Sequence, residues 1–199
     1  MNTLEGKVAI ITGGTQGLGG AYTSLFVKLG ARVVVADMRD EEGPAKVDEI
    51  NRQAGDRRAI YCHLDVTKAA EWQHVVEVAE TEFGKLTTLV NNAGVPGRDG
   101  IEGTTEASWA GTINVDLKGT WLGMKHCIPA MRRAGGGSIV NTSSTSGLVG
   151  TGRGAPYCSA KGGIHALTKT AAAQYGGEKI RVNSIHPGLV DTPRNKNIS

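Results

Sequence analysis

A tyrosine and a lysine four residues apart form the first pair in this sequence that could do chemistry. Tyr157 and Lys161 lie in a stretch with helical spacing, so their side chains share one face of a helix. A free phenol ionises at about pH 10, and a neighbouring ammonium favours the phenolate form. The pair could therefore exchange protons near neutral pH. The same spacing is also typical of a packing tyrosine beside a solvated lysine.

A serine stands at a position that could assist this pair. Ser144 follows a β-branched run, and in open α/β sheets ligands gather where such strands end. Its hydroxyl can donate a hydrogen bond to a substrate oxygen. The three side chains together indicate proton transfer at an oxygen atom.

A glycine loop follows the first strand-like run and leads directly into a helical pattern. Its glycines, Gly13, Gly17 and Gly19, have the spacing G-x-x-x-G-x-G. Free amides and the dipole at a helix start favour a pyrophosphate, and glycines let the backbone turn, approach the phosphates and pack on the sheet. The loop therefore predicts a dinucleotide site, and the alternative is a plain strand–helix turn.

An aspartate ends the second strand-like run. Asp37 lies about 20 residues beyond the last loop glycine, where a carboxylate can accept hydrogen bonds from the adenosine ribose. A carboxylate there would repel a 2′-phosphate, which favours NAD over NADP. Arg39 could weaken that repulsion, and Asp37 could instead cap a helix or turn.

Strands and helices alternate along the chain. Six apolar, β-branched runs predict buried parallel strands, and five longer stretches have helical spacing. This order predicts an α/β fold, a doubly wound parallel sheet of at least six strands with helices on both faces, in a single domain spanning residues 1–199. The predicted strands are 8–12, 32–36, 59–64, 88–91, 138–141 and 180–185, and the predicted helices are 18–29, 41–53, 69–83, 108–131 and 156–175.

Composition narrows the possible functions. The net charge of +3 is small and scattered, which argues against a nucleic-acid or membrane surface, and 39% hydrophobic residues suffice for a core. Five histidines and three cysteines show no ligand spacing, so we expect no metal and no disulfide framework. The sequence has no apolar run long enough to span a membrane and no signal peptide at its start, so we expect a cytoplasmic protein.

Six ordered motifs resemble those of the short-chain dehydrogenase/reductase family, which has a Rossmann fold. In appearance the sequence is most similar to bacterial hydroxysteroid-type alcohol dehydrogenases. The matching motifs are TGGTQGLG at 12–19, NNAG at 91–94, Asn114 on the next helix, Ser144 thirteen residues before the tyrosine, YCSAK at 157–161 and RVNSIHPG at 181–188.

The resemblance implies a role for each matching residue. Tyr157 would be the general acid and base, Lys161 would favour its phenolate and bind the nicotinamide ribose, and Ser144 would hold the substrate oxygen. Asn114 would fix a water that links Lys161 to solvent. Besides Tyr157 and Lys161, the residues implied to bind NAD are Gly13, Thr15, Gln16, Gly17, Leu18, Gly19, Asp37, Met38, Asp65, Val66, Asn92, Ala93, Gly94, Pro187, Gly188, Val190 and Thr192.

The resemblance also implies an activity and an assembly. We expect hydride transfer between NAD(H) and a secondary alcohol or ketone, and a homo-oligomer, either a tetramer or a dimer. The loops 94–103 and 147–154 should border the substrate, and Val95, Leu148 and Val149 make that border apolar, which favours an apolar or cyclic small molecule.

The sequence departs from the family pattern after its last motif. Family members continue with a substrate lid and a final strand and helix, so we expect this sequence to lack them. The alternative hypothesis is therefore an NAD-binding module without catalysis, such as a redox-sensing regulator or an inactive fragment. An epimerase or dehydratase relative fits less well, because those usually have another glycine spacing and a longer chain.

Overall fold

Six parallel strands form one sheet in the computed structural model, which describes residues 3–97, 99–152 and 154–192. The strand order is β3-β2-β1-β4-β5-β6, the doubly wound arrangement: β2 and β3 are added on one side of β1, and β4, β5 and β6 on the other. The predicted fold class is confirmed. The strands are β1 Val8–Thr12, β2 Arg32–Asp37, β3 Ala59–His63, β4 Thr88–Asn91, β5 Gly137–Thr142 and β6 Ile180–Ile185.

Helices connect the strands and cover both faces of the sheet. A π-helical segment, Ile113–Lys118, joins the fourth and fifth helices, and a 3₁₀ turn, Gly176–Glu178, precedes β6. The α-helices are α1 Gly17–Lys28, α2 Glu42–Ala54, α3 Ala69–Phe83, α4 Glu106–Thr112, α5 Gly119–Arg133, α6 Ser146–Val149 and α7 Ala155–Tyr175.

Side chains along β1 point alternately to the two faces of the sheet, and each face is covered by its own hydrophobic layer. Val8 and Ile10 point into the layer under α3, α5 and α7, whereas Ala9 and Ile11 point into the layer under α1 and α2. All four side chains are buried. Because both faces are covered, the strands carry almost uninterrupted apolar sequence, and that is the pattern from which they were predicted.

One predicted helix is divided in the structure. The sequence pattern predicts a continuous helix over 108–131, but the chain forms α4, the π-helical segment and α5 in succession. The Gly119 amide donates to the Asn114 carbonyl, five residues back, which is the widened π geometry. Apolar spacing does not distinguish one widened turn from a regular α-helical turn. The short helix α6 was also not predicted.

No helix within the described ranges is long and apolar enough to cross a membrane. Likewise, the described residues contain no group of three or more His, Cys, Asp or Glu side chains that could hold a metal ion.

Candidate active site

The glycine loop turns sharply at the carboxyl end of β1. Gly13 and Gly17 both have positive φ values, +61° and +56°, in the left-handed region that favours glycine. A Cβ at Gly19 would overlap the Gly13 carbonyl oxygen and lie 2.6 Å from Asn92 Nδ2. The sequence-predicted roles of these glycines as turn and close-packing positions therefore agree with the backbone.

The start of α1 has the properties that a phosphate group requires. Gln16 stands at the N-cap without a side-chain capping bond, and the first turn of α1 contains no acidic residue. The buried Thr15 hydroxyl oxygen has no hydrogen-bond partner among the described residues. Uncapped amides and an unpartnered buried hydroxyl fit a bound dinucleotide pyrophosphate.

Asp37 reaches across to this loop from the end of β2. One of its carboxylate oxygens accepts a hydrogen bond from the Thr15 amide at 3.1 Å, and the other accepts from the Met38 amide at 2.8 Å. Arg39, two residues on, is paired with Glu42 at 2.8 Å. Two other nitrogens of the guanidinium lie 2.9 and 3.2 Å from the side-chain oxygen of Gln16 in the loop. The carboxylate is thus fixed beside the loop, and the guanidinium lies at the same loop.

Thr12 ties the glycine loop to the NNAG segment. Its hydroxyl oxygen accepts hydrogen bonds from the amides of Asn92 and Ala93, both at 2.9 Å. Asn92 Nδ2 returns a bond to the Thr12 carbonyl oxygen at 3.0 Å. Asn92, Ala93 and Gly94 therefore lie directly beside the loop, at which we predict the dinucleotide to bind. Thr12 is the first residue of the loop motif, but sequence analysis does not predict it as a site residue.

Tyr157 and Lys161 contact each other on α7, beside the segment in which β5 ends and Ser144 follows. The Lys161 ammonium lies 5.5 Å from the centre of the Tyr157 ring and donates to the Thr142 carbonyl oxygen at 2.9 Å. Ser143 Oγ donates to the Lys161 carbonyl oxygen at 2.8 Å, which fixes α7 beside the segment that carries Ser144. Lys161 and Ser144 are buried, and Tyr157 is half-buried.

Asn114, predicted to fix a water that links Lys161 to solvent, lies on the π-helical segment, and that role stays a prediction. Its side chain is exposed on the π-helical segment, and its carbonyl oxygen accepts from the Gly119 amide. The side chain that contacts the lysine is Asp116, whose carboxylate lies 3.2 Å from Lys161 Nζ with none of its surface exposed. Sequence reasoning missed Asp116. Its neighbours at i−4 and i+4, Thr112 and Thr120, are buried too, but threonines make no apolar stripe from which the sequence could have placed Asp116 on the inner face.

The remaining predicted cofactor residues border the same edge of the sheet. Burial raises the pKa of Asp65, but the Thr67 amide and hydroxyl donate to its carboxylate and the net shift is downward. Val66 is buried against Gly119, where a Cβ would lie 2.8 Å from Val66 Cγ2.

Four predicted residues follow β6. The Pro187 carbonyl accepts from the Thr145 amide at 3.1 Å, and a Cβ at Gly17 would lie 3.9 Å from Thr192. This segment therefore passes from Ser144 back to the glycine loop. Gly188 is exposed and Val190 is half-buried. Arg98 and Arg153, in the two loops predicted to border the substrate, lie outside the described residues.

A family model described as short chain dehydrogenase matches residues 7–199. The chain belongs to this family. Trans-4-hydroxycyclohexanecarboxylate dehydrogenase of Sinomonas cyclohexanicum is 45% identical over 94% of this chain and 73% of that protein. The 3-alpha-(or 20-beta)-hydroxysteroid dehydrogenase of Mycobacterium tuberculosis (strain ATCC 25618 / H37Rv) is 44% identical over 96% of this chain and 71% of that protein.

A solved structure agrees with the sequence relatives. The crystal structure of levodione reductase has a TM-score of 0.91 and 33% identity, covering 95% of this chain and 74% of that one. This short-chain dehydrogenase is thus an oxidoreductase that resembles bacterial alcohol and hydroxysteroid dehydrogenases, as predicted. Members of the family typically bind a nicotinamide cofactor, which agrees with the uncapped glycine loop.

Proposed function

We propose that this short-chain dehydrogenase is an NAD-dependent alcohol dehydrogenase or ketone reductase that acts on secondary alcohols of a cyclic, apolar skeleton. The observation that carries the proposal is the contact between the Lys161 ammonium and the Tyr157 ring at the end of β5, 5.5 Å from nitrogen to ring centre. A phenol and a cation at this edge suit proton exchange with a bound oxygen.

In the proposed mechanism the substrate oxygen lies between Ser144 and Tyr157. The Ser144 hydroxyl donates a hydrogen bond to it, and the Tyr157 phenolate accepts the hydroxyl proton when the alcohol is oxidised. In ketone reduction the Tyr157 phenol gives that proton back. The Lys161 ammonium stabilises the phenolate by its charge.

The nicotinamide ring, when bound, supplies the hydride acceptor or donor. We assign the pyrophosphate to the amides at the start of α1 and to the Thr15 hydroxyl, which is buried and has no partner in the described part of the chain. The other predicted cofactor residues follow the same edge. Asp65 and Val66 would meet the adenine, Asn92 to Gly94 the adenosine-side ribose, and Pro187 to Thr192 the nicotinamide amide.

The preference for NAD rests on Asp37. Its carboxylate is held at the loop by the Thr15 and Met38 amides, so it is positioned to accept hydrogen bonds from ribose hydroxyls. A 2′-phosphate at that place would meet this negative charge. Arg39 pairs with Glu42 through one nitrogen, and its other nitrogens face the Gln16 side chain at the loop, so the carboxylate of Asp37 and this guanidinium both border the ribose site and the preference has to be measured.

The substrate class follows from the border of the site and from the relatives. Leu148, Val149 and Leu189 are 53%, 84% and 85% exposed at the carboxyl edge of the sheet, an apolar border for an apolar molecule. Both named relatives act, by their names, on hydroxyl groups of cyclic skeletons. We therefore propose cyclic secondary alcohols as substrates. The single-domain organisation, homo-oligomer and cytoplasmic location expected from the sequence stay predictions.

The test is turnover with a panel of cyclic secondary alcohols, followed by NADH absorbance, alongside calorimetric titration of NAD and NADP. We expect NAD reduction with cyclohexanol-type or hydroxysteroid substrates and tighter binding of NAD than of NADP. Tight NAD binding without turnover across the panel would reject the enzyme and leave the non-catalytic binding module.

A further inference from the structure

The ion pair between Lys161 and Asp116 is almost completely removed from water. The two side chains are 5% and 0% exposed, and their charged atoms lie 3.2 Å apart. Burying two charges is costly, and a well-packed apolar pair is often at least as stable. The pair is therefore weak evidence for a role in stability, and its lysine contacts Tyr157, where the chemistry is proposed.

The carboxylate of Asp116 is fixed by the segment that follows β4. Its Oδ1 atom accepts from the Val95 amide at 2.8 Å. Oδ2 lies near the lysine but makes no well-aligned hydrogen bond with any described residue, so its interaction with the ammonium is chiefly one of charge. A Cβ at Gly94 would lie 3.0 Å from Oδ2, a tighter approach than side chains normally make. The absence of a side chain at Gly94 thus leaves room for the carboxylate.

The backbone at Asp116 is unusual as well. The residue lies in the π-helical segment, and the Thr120 hydroxyl donates to its carbonyl oxygen at 2.7 Å. Widened turns of this kind frequently occur at functional positions in proteins. The segment therefore presents a carboxylate to the lysine, which also donates to the Thr142 carbonyl at the end of β5.

Other titratable groups on the surrounding elements are placed differently. Cys158 and His165 share α7 with the lysine, and His186 follows β6; the two histidine rings contact each other, with centroids 5.1 Å apart. Burial lowers the pKa of His165. The charged side chains of Asp99, Glu106 and Lys118, on the neighbouring loop, α4 and the π-helical segment, are exposed.

We propose that Asp116 is a positioning residue that holds the Lys161 ammonium and offsets part of its charge, so that it sets the pH range in which Tyr157 works. The proposal rests on the function proposed above. A carboxylate beside the ammonium weakens the field that favours the phenolate. Neutralising Asp116 should therefore let the phenolate form at lower pH.

The first test uses no substrate or cofactor. The test follows phenolate absorbance against pH. Because the chain has four tyrosines, the Tyr157 band is obtained by subtracting the titration of the same protein that also carries Tyr157→Phe. Burial raises the pKa of Tyr22 and Tyr61, which moves their bands toward alkaline pH. In Asp116→Asn we expect the Tyr157 band to appear about half a unit to one unit lower in pH.

The matched control is Asp48→Asn, which removes one exposed carboxylate from α2. It should leave the Tyr157 band unmoved. If Asp116→Asn does not fold, as judged by its thermal transition, Asp116→Ser supplies a smaller neutral side chain and the same expected shift. An unmoved band would mean that Asp116 is merely structural. A band moved to higher pH would mean that the carboxylate favours the phenolate, and either result overturns the proposal.

The second test is kinetic. In alcohol oxidation the acidic limb of the kcat/KM profile should move in Asp116→Asn to lower pH by the same amount as the phenolate band. Both proteins retain the histidine pair, so its titration cancels in the comparison. Absence of turnover in the unmodified protein would reject the proposed function and leave the spectroscopic test of Asp116 intact, whereas turnover with an unmoved limb would reject the role of Asp116 alone.

Discussion

At the β5 end of the sheet edge Lys161 and Asp116 pair away from water, whereas at the β3 end His63 and Asp40 pair in contact with it. The buried side chains are 5% and 0% exposed, and the outer ones 46% and 64%. Water screens the outer pair strongly and the buried pair weakly. Substitutions at the β5 end should therefore change the chemistry, and those at the β3 end should change affinity or stability modestly.

The largest expected effect is at Tyr157. Replacing it with phenylalanine removes the only atom of that side chain that can carry the proton, so kcat should fall by about 10²–10⁴-fold. The affinity for NAD, measured by calorimetry, should change little. Turnover close to that of the unmodified protein would show that the proton goes to another group.

The next largest effect is expected at the glycine loop, which lies between the two ends. In Gly19→Ala the new Cβ would overlap the Gly13 carbonyl oxygen, and nearby backbone must move. We expect a loss of about 1–3 kcal/mol in the free energy of unfolding and a marked loss of NAD affinity.

Gly111→Ala is the matched control for the loop variant. Gly111 is exposed inside α4, and a Cβ there has no atom within 4 Å. Alanine is a better helix former than glycine, so Tm should hold or rise, with a gain of about 0.5–1 kcal/mol. If both variants lowered stability equally, steric crowding at Gly19 would not be the cause.

How far the sequence predicts the site depends on which interactions are local. Tyr157 and Lys161 share a face because they are one helical turn apart. The turn of the glycine loop likewise depends on its own glycines and not on distant residues. Asp116 could not be assigned in this way. Its pairing with Lys161 depends on how the π-helical segment packs on α7, and the motif resemblance directed attention to Asn114, two residues earlier.

The fold was more predictable than the detail of the site for the same reason. Strands such as β1 are buried on both faces, and their apolar runs show this directly. The widened turn around Asp116 leaves no comparable pattern, since one extra residue shifts the apolar spacing by a single position, too little to recognise in a helix of this length. The hydrogen bonds of Thr12 to Asn92 and Ala93 likewise join residues far apart in the chain.

A smaller effect is expected at Asp37, at the β2 end. Asp37→Ala removes a carboxylate that would accept hydrogen bonds from the ribose, so NAD binding should weaken by about tenfold or more. NADP binding should weaken less, since the repulsion of its 2′-phosphate also disappears. Measuring both dissociation constants gives the change in preference. An unchanged ratio would place the ribose away from this carboxylate.

The smallest effect is expected from the exposed pair. Asp40 Oδ1 accepts a hydrogen bond from His63 Nδ1 at 2.8 Å, which raises the pKa of His63 and lowers the pKa of Asp40. A histidine whose pKa is raised by folding stabilises the fold fully below its ordinary value, about 6.5, and loses that contribution as pH rises through the raised value.

Asp40→Asn should therefore lower Tm by about one degree at mildly acidic pH and by less at alkaline pH, because exposed pairs contribute little. Thermal unfolding at the two pH values measures the difference. Asparagine keeps one oxygen that can accept from the Tyr61 hydroxyl, which donates to Asp40 at 2.8 Å, so the variant removes chiefly the charge. A large loss of Tm that is the same at both pH values would therefore show that the pair does not act through the charge of His63, and the contrast with the buried pair at the β5 end would fail.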